Sequence, residues 1–311
     1  MADDLAVRSD VQAFLDELKA HPRPRFSRFF LTLIRFMPTS LMVRSDLPIG
    51  DLAVDRKFSM RGTGGKIALR LFDPREHRDT GPVVVFYHGG GFCVGSIGTH
   101  APLCAKIARA LDLPVVSVEY RLAPRFPWPA APDDAEAAAR WIAKSGEKLG
   151  LDIDGLILCG DSAGGNLALV TAIALRDDPA AKPVVQQIAI YPGTDTLGDY
   201  PSVHAFSDGY GLDSDDMELF EEYYAGDADS WRHSPLKSDL AGLAPSVIAT
   251  ASHDPLRDQG RAFAKKLKAA GCEVAYHEAK GTIHGYATFR KAIPSAADDL
   301  AAVLALAKAQ L

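Results

Sequence analysis

The chain has 311 residues, of which 47% are hydrophobic and 24% charged, and a formal net charge of −6. That length allows one large α/β domain with a modest addition, or two smaller domains. The acidic balance excludes the basic footprint of a nucleic-acid binder, and Cys93, Cys104, Cys159 and Cys272 lack metal-ligand spacing and read as reduced thiols.

The first residues, Met-Ala-Asp-Asp-Leu, have neither the basic start nor the apolar core of a signal peptide. Val7, Val11, Phe14, Leu15 and Leu18 mark an amphipathic helix that Pro22 and Pro24 end. Phe29, Phe30, Leu33, Ile34 and Met37 mark a second, read as packed on the main domain or as one wall of an apolar pocket, with contact to a lipid surface the weaker reading. Arg28, Arg35 and Pro38 interrupt the apolar stretch 26–43, whereas a spanning helix needs about 20 predominantly apolar residues, so no membrane span is predicted. A cytoplasmic protein is the expectation.

Two strands are predicted over 55–60 and 66–72, with Gly62, Gly64 and Gly65 turning the chain between them. The run 83–87 is an apolar strand that leads into His88-Gly89-Gly90-Gly91-Phe92. A helix over 99–111, a strand over 115–118 and a proline-rich loop follow, and Asp133 and Asp134 then open a helix through Trp141. Strand 156–159 stops at Gly160, and helical spacing resumes at Leu167. After a strand at 187–191 the alternation fails between 195 and 245, where Ser214 is expected to cap a helix through Tyr224, with Met217, Phe220 and Tyr224 on one face. Strand 246–250, helix 257–269, strand 273–277 and helix 296–309 complete the chain. Strands alternating with helices, several of them apolar throughout, predict a mainly parallel sheet covered on both faces. The irregular middle segment is too long for a connection and reads as an insertion above the sheet.

Gly160-Asp161-Ser162-Ala163-Gly164 is a G-x-S-x-G motif between a strand and a helix, the setting in which a sharp elbow exposes a nucleophilic serine. Its flanking glycines let strand and helix pass where a Cβ would clash. The glycines after His88 allow backbone N–H groups to converge on one spot, as an oxyanion requires. A flexible turn or anion loop is the plainer reading, but neither a following Gly-Lys-Ser/Thr nor G-x-G-x-x-G spacing supports nucleotide binding.

The base must be a histidine. His21 and His77 lie in outer segments, His204 and His233 in the insertion, His88 in the glycine loop and His277 within a strand. His284 follows the last strand in a short loop, where ligand-facing residues collect in open α/β sheets. For the acid, Asp254 and Asp195 both follow strands; Asp254 is favoured because it stands one strand before the histidine, in the order Ser…Asp…His. Cys93, beside the glycine loop, reads as a small core residue.

These motifs, with Tyr120-Arg121-Leu122-Ala123-Pro124, Tyr191-Pro192, Ser234-Pro235-Leu236 and Asp254-Pro255-Leu256-Arg257-Asp258, closely resemble the bacterial hormone-sensitive-lipase-like carboxylesterases of the α/β-hydrolase superfamily, in their Gly-Asp-Ser-Ala-Gly subgroup. The resemblance covers about residue 55 to the end. It implies an α/β-hydrolase fold with a mostly parallel sheet of about eight strands, a catalytic domain over 51–197 and 231–311, and a helical cap from 1–50 and 198–230. It further implies Ser162 as nucleophile, His284 as base, Asp254 as the orienting acid, and Gly90, Gly91 and Ala163 as oxyanion donors. The expected substrate is a short- to medium-chain carboxylic ester, attacked through an acyl-enzyme without metal or cofactor. Phe29, Phe30, Phe206, Tyr210 and Phe220 are the apolar candidates for the substrate pocket. Arg125, Gln259 and Tyr286 depart from the family's usual residues.

Two other readings stand beside this one: an amidase or acyltransferase on the same residues, and a non-catalytic binder on the hydrolase scaffold, as in plant gibberellin receptors. A homodimer through an edge strand or the terminal helix is compatible with the pattern, which does not specify it.

Overall fold

A computed structural model describes residues 6–21, 27, 31, 37–196 and 198–311. Its frame is one eight-stranded sheet. The strands are β1 (Val54–Gly62), β2 (Gly65–Asp73), β3 (Gly81–Tyr87), β4 (Val115–Glu119), β5 (Ile153–Asp161), β6 (Val184–Ile190), β7 (Ser246–His253) and β8 (Val274–Ile283). They lie in the order β1-β2-β4-β3-β5-β6-β7-β8. β1 and β2 form a hairpin whose last pair is Gly62 with Gly65, and β2 runs antiparallel to β4; from β4 to β8 every neighbour is parallel.

The apolar runs explain the layering. Side chains alternate across a strand, so an all-apolar strand supplies both faces. Val83, Val85 and Tyr87 of β3, with Leu156 and Leu158 of β5, belong to one core. Val84 and Phe86, with Ile157 and Cys159, belong to the other. Helices Ala130–Lys144, Ala163–Asp177 and Arg257–Ala269 cover the first face. Helices Ser9–Ala20, Ala101–Leu111 and Ala296–Ala309 cover the second. Among the described residues no helix is long and apolar enough to cross a membrane. Cys93 lies in the first core, fully buried, and none of the four cysteines is in a disulfide.

Three local expectations are corrected. The helix predicted to open at Asp133 begins at Ala130, because Pro132 falls in its first turn, where no N–H is needed. Asp134 is instead fully buried and accepts from the Arg121 backbone N–H, Nε and Nη2 at 3.0, 2.8 and 2.9 Å. Asp213, rather than Ser214, holds the N-cap position of helix Ser214–Tyr224. The last strand runs on to Ile283, so Gly281 to Ile283 belong to β8 and His284 follows it directly. The second predicted helix, with Phe29 and Phe30, lies outside the described residues apart from Leu31, which is buried, and Met37, which is exposed.

The N-terminal segment is pinned to elements made last in the chain. Val11, Phe14 and Leu15 are buried, and Phe14 packs on Phe289 at 5.0 Å between ring centres. The Arg8 N–H donates to the Gly281 carbonyl, Arg8 pairs with Asp299, and Asp10 accepts the Ser295 N–H. Asp46 and Arg290 form a two-pronged ion pair, both bonds 2.7 Å and both side chains 2% exposed. Replacing Arg290 with Met leaves the Asp46 carboxylate buried and unpaired, and should lower the unfolding free energy by about 3–5 kcal/mol. A lower urea midpoint at unchanged slope is the expected readout.

Candidate active site

β5 delivers Ser162 onto a sharp turn, with φ 54° and ψ −121°, before helix Ala163–Asp177 starts. For a serine that backbone costs about 1–3 kcal/mol and persists only where its surroundings fix it. The Ser162 N–H donates to the Ile190 carbonyl at 2.9 Å, and its carbonyl accepts the Asn166 N–H at 3.0 Å. The glycines on either side are obligatory: a Cβ on Gly160 would lie 2.2 Å from the Gly164 carbonyl oxygen, and one on Gly164 2.0 Å from that of Tyr87. Both obstacles are backbone and cannot rotate away.

His284, at the end of β8, places Nε2 2.9 Å from Ser162 Oγ. Its Nδ1 lies 2.8 Å from Asp254 Oδ2, at the end of β7. Asp254 is fully buried, and its other oxygen accepts the Leu256 N–H at 2.8 Å. With Nδ1–H donating to the carboxylate, Nε2 is left as an acceptor for the serine hydroxyl. Tyr191 packs on the His284 ring at 4.7 Å. Asp195, the rival acid, turns its carboxylate to the Tyr200 hydroxyl at 2.8 Å. Of the two, only Asp254 is bonded to the histidine.

The glycine loop faces the same point. Gly90 and Gly91 have φ of 119° and 55°, and the Gly90 carbonyl accepts the N–H groups of Cys93 and Val94, which fixes the turn. Ala163 opens its helix, so its N–H is among the four that a helix leaves without an internal partner. Gly90, Gly91, Ser162, Ala163 and His284 all border one cavity of about 510 Å³. That volume is within the usual range of small-molecule sites, about 300–1,000 Å³.

The wall of the cavity includes Met42, Val43, Met217, Phe220, Leu256 and Phe289. Phe220 sits against the glycine loop, where a Cβ on Gly91 would meet its ring at 2.3 Å. Phe206 and Tyr210 do not line it. They pack on each other and on His253, and Arg257 stacks on Phe206, so both rings are spent on a cluster beside β7. Tyr224, predicted on the same face as Phe220, is buried and stacks on Phe92 at 3.9 Å.

Several other residues border the cavity without being among the predicted site residues. Asn166 donates through Nδ2 to the Gly193 and His233 carbonyls at 2.9 and 2.8 Å, tying the elbow helix to the insertion. Gln259 holds the adjacent loop, its Oε1 accepting the Thr194 and Asp195 N–H groups at 2.5 and 2.9 Å. Its departure from the family residue was the available clue. His100 precedes an ordinary amphipathic helix, and nothing in its neighbourhood marks it.

An open, mainly parallel sheet with a serine elbow after its fifth strand defines the class: a family model for the alpha/beta hydrolase fold matches residues 84–288, and the chain belongs to that family. Within it the chain sits with the hormone-sensitive-lipase-like esterases. It is 40% identical to Carboxylesterase NlhH of Mycobacterium tuberculosis over 252 residues, 79% of each chain. It is 34% identical over 276 residues to an ethyl acetate hydrolase of Pseudomonas putida, covering 87% of this chain and 86% of that one. The ester-hydrolase EH1AB1 from the metagenome of Lake Arreo, solved with a derivative of bipyridine phosphonate, superposes with a TM-score of 0.91 at 33% identity, over 97% of this chain and 98% of its own.

Proposed function

We propose that the protein is a serine carboxylesterase that cleaves short- to medium-chain carboxylic esters through an acyl-enzyme. The observation that carries this reading is the unbroken chain of hydrogen bonds from Ser162 through His284 to Asp254 at the cavity. Ser162 Oγ attacks the ester carbonyl carbon while its proton passes to His284 Nε2. The carbonyl oxygen becomes an oxyanion held by the N–H groups of Gly90, Gly91 and Ala163. The bond from carbon to the alkoxy oxygen then breaks, and the alcohol leaves with the proton from His284. Water attacks the acyl-enzyme in the same way, giving up its proton to His284 and releasing the acid and Ser162. Asp254 holds the imidazole tautomer and offsets the charge of the imidazolium. Residues 1–50 and 198–230 serve as a cap, which is supported by Met42, Val43, Met217 and Phe220 bordering the cavity.

A series of p-nitrophenyl esters of increasing acyl length tests the reading. Each added CH₂ buried in the cavity should contribute up to about 0.8 kcal/mol until the cavity is filled. Accordingly kcat/KM should rise from acetate, peak at a short or medium chain and then fall. No turnover of any member would overturn the assignment, and a steady rise to the longest chains would overturn the chain-length preference.

A further inference from the structure

Asp161 precedes Ser162 and has no part in the steps above. Continuing the alternation of Ile157 and Cys159, its side chain points to the face covered by helix Ala101–Leu111. There it is 4% exposed. Its Oδ1 accepts the Gly89 N–H at 2.9 Å, and its Oδ2 lies 3.4 Å from His100 Nε2 and 3.5 Å from the Tyr191 hydroxyl, which donates to it. One carboxylate therefore joins the elbow, the residue before Gly90 and the residue that precedes the helix behind them. His100 Nδ1 lies 2.9 Å from Thr99 Oγ1, which leaves Nε2 directed at the carboxylate.

A carboxylate beside the oxyanion loop has an electrostatic consequence. Unbalanced, its charge opposes the negative charge that develops on the substrate oxygen, and low local polarity strengthens the opposition. Burial pushes the Asp161 carboxyl up, but the charge of His100 prevails and holds it below its ordinary value. Burial likewise pushes His100 down, and Asp161 prevails to hold it above its ordinary value. His88, 5.5 Å from His100 ring to ring, is pushed by burial down to about 3 and stays neutral. Of the two rings, His100 is therefore the one whose charged form Asp161 favours.

Resting on the proposed esterase reading, we propose that Asp161 and His100 are positioning residues: a net-neutral pair that fixes the oxyanion loop through the Gly89 N–H and keeps the charge of Asp161 from opposing the oxyanion.

Four variants test this on p-nitrophenyl butyrate, with the urea midpoint followed for each. Asp161→Ala removes the acceptor for Gly89 and should lower kcat about a hundredfold, as expected for a displaced oxyanion donor, with KM little changed. His100→Gln keeps a donor but removes the cation, and should lower kcat about tenfold. Asp161→Asn with His100→Gln restores a neutral pair and should recover most of that loss, making the double variant faster than His100→Gln alone. Asp161→Asn alone should retain more activity than Asp161→Ala, because its amide oxygen still accepts from Gly89. Affinity for a trifluoromethyl ketone, which forms a hemiketal oxyanion on the serine, should fall in step with kcat. Purely structural roles would give additive losses that track the urea midpoints. Additive losses, or a His100→Gln enzyme with unchanged kcat and ketone affinity, would overturn the pairing. Failure of the unaltered enzyme to hydrolyse the ester would instead overturn the esterase reading itself.

Discussion

Changing Ser162 to Ala is expected to lower turnover of p-nitrophenyl acetate about a million-fold, down to the residual rate that binding and oxyanion donors alone sustain. The substitution deletes one oxygen from a residue whose backbone is fixed at both ends, by Ile190 and by Asn166, so the fold should persist. Far-ultraviolet circular dichroism and the urea midpoint should match those of the unaltered protein. Labelling by a fluorophosphonate should disappear, since the reagent needs an activated serine. Near-normal hydrolysis by the variant would remove Ser162 from the mechanism. A protein that is never labelled in its unaltered form would favour a non-catalytic binder.

Asp254→Asn is the second large effect. An amide of the same shape keeps the site filled, but its NH₂ no longer accepts from His284 Nδ1 and favours the tautomer with the proton on Nε2. That proton blocks the position that must receive the serine's, and kcat is expected to fall about 10⁴-fold. The same substitution at Asp195 should act on KM and leave most of kcat, because its carboxylate meets the Tyr200 hydroxyl and the cavity rather than the histidine. Steady-state kinetics on the two variants separate these roles. A loss of less than about tenfold for Asp254→Asn would reopen the choice of acid.

The sheet and the serine elbow are legible in the sequence for one reason: both follow from periodicity. An apolar run such as 83–87 has to be buried on both sides, and a glycine-flanked serine between such a run and a helix has one backbone solution. His284 stands out by position alone, at the end of a strand. The pocket was less legible because the insertion has no period to fix the direction of a side chain. Phe206, Tyr210 and Phe220 were equal candidates by composition, yet Phe220, on a helix, reaches the cavity while the other two pack on His253. His100 and Asn166 carry no local signal, because their partners lie far off in sequence. Asp161 was visible as an elbow residue, but its contacts required the sheet's parity and the position of helix Ala101–Leu111 together.

The clasp between the first and last parts of the chain sets an order of assembly. Arg8 meets Asp299 across 291 residues, Asp10 meets Ser295 across 285, and Asp46 meets Arg290 across 244. A ribosome emits the N-terminal helix first, but the partners of Arg8, Asp10 and Phe14 described above do not exist until β8 and the residues after it have followed. Contacts of such separation bear the largest loop-closure entropy and come late in folding. Met42 and Val43, which border the cavity, belong to the segment held by that clasp. During synthesis the serine elbow should therefore be in place before the side of its cavity bordered by Met42 and Val43 is closed.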